Sequence, residues 1–237
     1  MNVSYGKSED AWVGYRAYLD ELIQKRKPRR VIEVGAGANP AFTIEYVKEN
    51  NLEYTLLDIS GEELKKAPDG YTKIEADICA ENFQFESGYD LVFSRMLVEH
   101  VRSGSTFHRN IFGLLRSQGA AFHFFPTLYA LPFVVNYLTP EWLSESLLTR
   151  LFPERHRGGK LGKFPAYYSW CRGPSRSQFR RFESLGYQVE DYRGFFGHNY
   201  YERLGPRSRA QQLCRSYLLK HPLPQLTAYA YVLLKKE

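Results

Sequence analysis

The chain has 237 residues, a net charge of +6 and an aromatic content of 16%, with Tyr (18) and Phe (16) leading. That length suits one α/β domain with a sizeable core and some elaboration. No apolar run reaches the roughly 18–20 residues of a membrane span, and the N-terminus lacks the basic-then-apolar pattern of a leader. The three cysteines, Cys79, Cys171 and Cys214, show neither metal-ligand spacing nor even pairing, so the chain is expected in a reducing cytoplasm. The positive charge is compatible with nucleic acid, anionic lipid or phosphorylated substrates, and equally with an ordinary basic enzyme.

In chain order, residues 8–26 predict an amphipathic helix with Trp12, Tyr15, Leu19, Leu22 and Ile23 inward and Ser8 or Asp10 as its cap. Its aromatics are read first as packing on a sheet and second as closing a pocket. The basic run from Lys25 to Arg30 ends this helix at Pro28. Val31–Val34 then reads as a short buried strand, followed by the turn Gly35-Ala36-Gly37-Ala38-Asn39 and by Pro40 as the expected first residue of the next helix. Glycines at 35 and 37 let the backbone turn sharply and approach a ligand closely. A strand, glycine loop and helix in that order form a nucleotide-type site. The third glycine of a dinucleotide fingerprint is missing, and so is the lysine of a P-loop.

Residues 52–57 form the next expected strand and end in Asp58, 21 positions after Gly37. An acid about 20 residues beyond the glycines is placed to accept hydrogen bonds from both ribose hydroxyls. Ser60 to Glu63 reads as a capping box opening a short helix. Residues 73–78 form a third strand carrying Asp77. Glu33, Asp58 and Asp77 thus fall at one C-terminal rim, where open α/β sheets bind ligands. A fourth strand is expected from Tyr89 with its exit at 94–101, a helix over Thr106–Ser117 stopped by Gly119, and a fifth strand over Ala120–Phe125.

Glu33-x-Gly35-x-Gly37-x-Asn39 resembles motif I of the class I S-adenosylmethionine (SAM) methyltransferases, with Asn39 where that pattern has a third glycine. Asn tolerates left-handed backbone angles, so the turn is expected to survive. The strand-four exit, with Glu99-His100-Val101, is similar to motif IV of the small-molecule methyltransferases of type 11. The resemblance covers roughly half the chain, through residue 125. It implies a Rossmann-like mixed α/β sheet of seven strands with helices on both faces, the seventh antiparallel between the fifth and sixth. It also implies SAM as cofactor, with S-adenosylhomocysteine as product. The implied cofactor residues are Glu33, Gly35, Ala36, Gly37 and Asn39, then Asp58 and Ile59, Asp77 and Ile78, and Ser94, Arg95 and Met96. Within that set Asp77 and Ile78 would read the adenine, and Glu33 would meet the methionyl amino group directly or through water.

The remainder of the chain departs from a minimal domain. Residues 1–237 are expected as one domain with substrate-cap insertions at 126–174 and 193–226. The first insertion holds Tyr129, a helical stretch over 140–152, a basic loop with His156 and Arg157, and an aromatic close with Tyr167 and Tyr168. The second holds His198, Tyr200 and Tyr201 and a basic helix around 207–220. Between them, Ser175 to Gln178 caps a helix stopped by Gly186, Tyr187–Tyr192 is the sixth strand, and Thr227–Lys235 the seventh. The alternatives to a substrate cap are a dimer surface or a patch resting on a membrane.

Transfer from a sulfonium needs an aligned nucleophile and, for a hydroxyl, a base. His100 and then His198 are the candidate bases, His123 reads as core, His156 as an anion contact, and Tyr129, Arg157, Tyr167, Tyr168, Tyr200 and Tyr201 as substrate residues. The motifs of exocyclic-amine and cytosine-C5 methylation are missing, as is a catechol-type magnesium site, so no metal is expected. The expected activity is methyl transfer to a small-molecule or glycan-type hydroxyl, the acceptor carrying an anionic group. An RNA methyltransferase is the runner-up, opposed by basic residues dispersed among apolar segments. A non-catalytic SAM-binding scaffold is the third reading. The oligomeric state is not legible.

Overall fold

The computed structural model describes residues 1–128, 165–197 and 207–237. Its strands are β1 (Asn2–Lys7), β2 (Arg30–Val34), β3 (Glu53–Asp58), β4 (Thr72–Glu75), β5 (Tyr89–Arg95), β6 (Leu115–Pro126), β7 (Tyr187–Phe196) and β8 (Tyr229–Lys236). Its helices are α1 (Ser8–Arg26), α2 (Ile44–Glu49), α3 (Gly61–Lys66), α4 (Gly104–Leu114), α5 (Arg176–Glu183) and α6 (Arg207–Lys220). They surround one sheet in the order β1-β7-β8-β6-β5-β2-β3-β4. All pairs are parallel except those of β8, which runs antiparallel between β6 and β7, as expected.

The central strands are apolar on both faces because both faces are covered. Val31 packs with Leu91, Phe122 and the α1 side chains, while Ile32 and Val34 pack with Val92, Phe107 and Ile111 on the opposite face. β2 is therefore fixed between two layers, and its C-terminal end must deliver the glycine loop to the rim.

The sheet has eight strands where seven were expected. β1 is an edge strand whose side chains are half-buried or exposed, so no alternating apolar signal marks it. It pairs in parallel with β7 from Asn2↔Asp191 to Lys7↔Phe196. Close approach is secured at Gly194, where a Cβ would lie 2.6 Å from Thr227 and 3.0 Å from Tyr5. β7 runs four residues beyond the expected end at Tyr192, so Phe195 and Phe196 are buried sheet residues rather than part of a cap.

Other boundaries move for local reasons. Lys7, not Ser8, is the α1 N-cap, and Asp10 accepts the Lys7 N–H at 3.1 Å. Trp12 lies 46% exposed, its edge against Phe124 and Tyr229, rather than inward. α2 starts after Thr43, whose hydroxyl accepts from the Tyr46 N–H, so Pro40 belongs to the loop. β4 ends at Glu75, leaving Asp77 in the turn beyond it. α4 spans Gly104–Leu114 and passes directly into β6, so Gly119 lies in a strand.

Candidate active site

The C-terminal ends of β2, β3 and β5 bring the predicted motifs together at one rim. Gly35 (φ +76°) and Gly37 (φ +50°) hold the left-handed positions of the loop, and Asn39 is not among the left-handed residues. A Cβ on Gly35 would lie 2.9 Å from Leu97, the residue that follows Met96 at the β5 exit. The two loops therefore close on each other only because residue 35 lacks a side chain. Met96 itself is left-handed (φ +52°), and its N–H bonds the Phe124 carbonyl at 2.8 Å.

Asp58 joins two loops. Its Oδ2 accepts the Gly37 N–H and its Oδ1 the Ser60 N–H, both at 2.9 Å. The carboxylate is only half-buried at the rim, and Ile59 beside it is 63% exposed, a large apolar side chain facing solvent next to a polar turn. Asp77 is exposed and accepts the Cys79 N–H at 2.8 Å, and Ile78 is buried under it.

Glu33 is 2% exposed, and its Oε2 accepts from the Ala41 N–H at 2.8 Å and from the Tyr54 hydroxyl. Burial raises its pKa, opposed by those two hydrogen bonds. The carboxylate thus braces the stretch between the glycine loop and α2. Ser94 is fully buried with its hydroxyl 2.8 Å from His123 Nδ1, so its side chain points into the sheet layer rather than to the rim. Arg95 is exposed, with its guanidinium 5.7 Å from the centre of the Tyr15 ring.

Tyr15 was legible only as an inward residue of the first helix. The structure gives it a distinct feature: a buried hydroxyl with no hydrogen-bond partner. Burial drives its pKa upward, and the nearby Glu33 carboxylate adds to that effect. Such a group ordinarily finds a partner, and Arg95 and Glu33 are the charged groups near it.

Of the histidines, His123 is buried in the core as expected. His100 Nδ1 lies 3.0 Å from the Pro165 carbonyl and Nε2 3.6 Å from Glu99 Oε1, so both ring nitrogens face oxygens of the fold. Burial lowers the pKa of His123 to about 3 and that of His108 well below the ordinary value. Glu99, unnoticed in the sequence beyond its tripeptide, is 3% exposed, and burial raises its carboxyl to about 8. Its backbone carbonyl accepts the N–H groups of Tyr167 (2.7 Å) and Tyr168 (3.0 Å). Tyr168 is therefore a buried, left-handed anchor, while the Tyr167 hydroxyl accepts from Arg102 Nε at 3.1 Å. Tyr129, His156, Arg157, His198, Tyr200 and Tyr201 lie outside the described residues, as do most of the first expected cap segment and residues 198–206 of the second.

This arrangement fits SAM: a glycine loop against a strand exit, a rim carboxylate after β3, and an orphaned hydroxyl. The fold and site define the class I SAM-dependent methyltransferases. A family model described as a methyltransferase domain matches residues 11–191, and the chain belongs to that family. Solved structures agree on the fold. A SAM-dependent methyltransferase from Archaeoglobus fulgidus is 16% identical, with TM-score 0.56, covering 94% of this chain and 93% of that one. One from Mesorhizobium loti is also 16% identical, with TM-score 0.52 and coverage of 94% and 97%. Phosphoethanolamine N-methyltransferase 2 of Haemonchus contortus, in complex with SAM, is 16% identical with TM-score 0.55, covering 95% of this chain and 52% of that one. A search of curated proteins found no match.

Proposed function

We propose that this methyltransferase acts on a small-molecule or glycan-type acceptor that carries an anionic group, with a hydroxyl as the methylated atom and no metal in the reaction. The observation that carries the cofactor half is the Asp58 carboxylate, held at the rim by the Gly37 and Ser60 N–H groups. From there it presents oxygen lone pairs to a ribose. Gly35, Ala36, Gly37 and Asn39 would follow the methionyl chain, Ile59 and Ile78 would flank the adenine, and Asp77 would accept from its amino group. The Tyr15 hydroxyl and Arg95 would meet the polar methionyl end, while Glu33 keeps the loop in place.

Bound SAM supplies an electrophilic methyl group on a sulfonium. The chain's own residues have to orient the acceptor and accept its proton. With both His100 nitrogens facing oxygens of the fold, the base role passes to His198. The anionic feature is supported by Arg102, which lies near the β5 exit with Tyr167. It is in line with the Haemonchus structure that holds phosphomonomethylethanolamine and S-adenosylhomocysteine.

Titration calorimetry of S-adenosylhomocysteine into wild type and Asp58→Ala tests the cofactor half. Loss of an otherwise satisfied hydrogen-bonding site costs about 1–3 kcal/mol, roughly 5- to 150-fold in affinity. Wild type that fails to bind, or a mutant that binds equally well, would remove the proposed role of Asp58. Methyl transfer from labelled SAM to a panel of phosphorylated and neutral alcohols then tests the acceptor class.

A further inference from the structure

α6 carries Arg207, Arg209, Arg215 and Lys220 and no acidic residue. Its Leu218 is buried, whereas Leu213 and Tyr217, one turn apart, are 73% and 61% exposed. Lys220 continues the exposed side one turn further, and the Tyr217 ring lies against His221 at 4.8 Å. A helix that buries Leu218 and leaves Leu213, Tyr217 and Lys220 outward presents an apolar stripe that ends in a cation.

The stripe does not stand alone. Arg215 Nη1 bonds Glu9 Oε1 at 2.6 Å, tying α6 to the first turn of α1. The second turn of α1 exposes Val13 (83%) and Trp12 (46%). Because β1 is parallel to β7, and α1 follows β1 directly, this turn lies at the rim that carries the glycine loop. Trp12 packs on Phe124 and Tyr229, which belong to that rim, and Phe124 is paired with Arg95. Of the acids nearest the patch, Glu9 is paired with Arg215, and Asp10 accepts the Lys7 N–H and keeps its charge.

We infer that the exposed faces of α6 and the start of α1 dock the protein on an anionic lipid surface, with the methyl-transfer rim turned toward that surface. Exposed Leu, Val, Trp and Tyr enter the headgroup boundary, the Lys220 stem lies along it with its charge outward, and the chain's net charge of +6 is drawn to anionic headgroups. Charge complementarity favours lipid over a protein partner, since protein interfaces are depleted in lysine. It favours lipid over nucleic acid because phosphate contacts make no use of exposed leucine and valine.

The test is co-sedimentation of the full chain with phosphatidylcholine vesicles, with and without about 30% phosphatidylglycerol, at low salt and at about 0.5 M salt. The protein is expected to sediment with the anionic vesicles, to stay in solution with neutral ones, and to release partly at high salt. Leu213→Glu with Tyr217→Glu, and separately Val13→Glu, are each expected to lower binding roughly ten-fold with unchanged melting temperature. Wild type that ignores anionic vesicles overturns the inference, as do variants that bind like wild type. A wild-type dimer broken by these variants without vesicle binding would assign the face to a second copy. Equal protection from vesicles by added RNA in wild type and variants would assign the charge to nucleic acid.

Discussion

The residue that best separates packing from ligand recognition is Tyr15. Its ring is held among Phe122, Phe124 and Tyr231, so the ring is a core group. Its hydroxyl has no partner, and a buried unsatisfied polar atom costs about 1–3 kcal/mol. Tyr15→Phe is therefore expected to leave the ligand-free protein as stable or more stable. In the same variant, S-adenosylhomocysteine affinity falls if the hydroxyl meets the methionyl end as proposed. Paired thermal melts and calorimetry read the two effects, and a fall in stability with unchanged affinity would make the hydroxyl structural. The two candidate bases part in the same way. His198→Ala is expected to lower kcat by about 10²–10⁴-fold with little change in melting temperature. His100→Ala removes a ring bonded to Pro165, so its main effect is expected on stability, and a loss of kcat as large as that of His198→Ala would restore His100 as base.

At the scale of elements, Asp191 is the junction that the eighth strand needs. It is 7% exposed, and its carboxylate accepts from Asn2 (3.1 Å), Tyr18 (2.7 Å) and Arg193 (2.8 Å), uniting β1, α1 and β7. Asp191→Ala strands the Tyr18 hydroxyl and loosens the edge strand, with an expected cost of about 2–4 kcal/mol from the lost charge-assisted bonds. Hydrogen exchange should show the extra opening first in residues 2–7. Protection of β1 equal to wild type would show that backbone pairing alone retains the strand. The same element explains a missed boundary. β7 extends to Phe196 because β1 and β8 supply partners on both sides for its last residues, and no pattern within 187–192 announces that.

For the whole molecule, buried ionisable groups set the pH dependence of stability. His108 and His123 are held neutral by burial, His123 down to about 3. The unfolded chain binds their protons below the ordinary value of 6.5 and the native protein does not, so their contribution is full above that value and is lost as pH falls. Glu99 is raised to about 8. The native protein keeps its proton after the unfolded chain has lost it near 4.5, so this contribution is full below 4.5 and is lost as pH rises to about 8. Between 4.5 and 6.5 the two histidines outweigh the one carboxyl, so stability is expected to rise across that window, to be greatest near pH 6.5 and to decline above it. Denaturant melts across pH 4–8 check this, and Glu99→Gln should flatten the decline above 6.5. A wild-type stability that keeps rising from pH 6.5 to 8 would overturn this role of Glu99.

How much was legible follows from which interactions are local. The glycine loop, Asp58 and the order of strands and helices are encoded in short segments, because a turn needing positive φ demands glycine and a strand buried on both faces must be apolar. Even the antiparallel place of β8 came with the motif order of the resembled family. The sequence alone thus determined the class of fold, its cofactor and which strand ends share one rim. Tertiary structure alone decided the roles of side chains whose partners are distant in the chain. It turned Glu33 into a brace for Ala41 and Tyr54, and buried Ser94 on His123. It set His100 between Glu99 and Pro165, and added an edge strand whose only signal is the neighbour it pairs with. The physical reason is that burial and hydrogen-bond satisfaction belong to pairs of groups, and a sequence pattern specifies only one member of each pair.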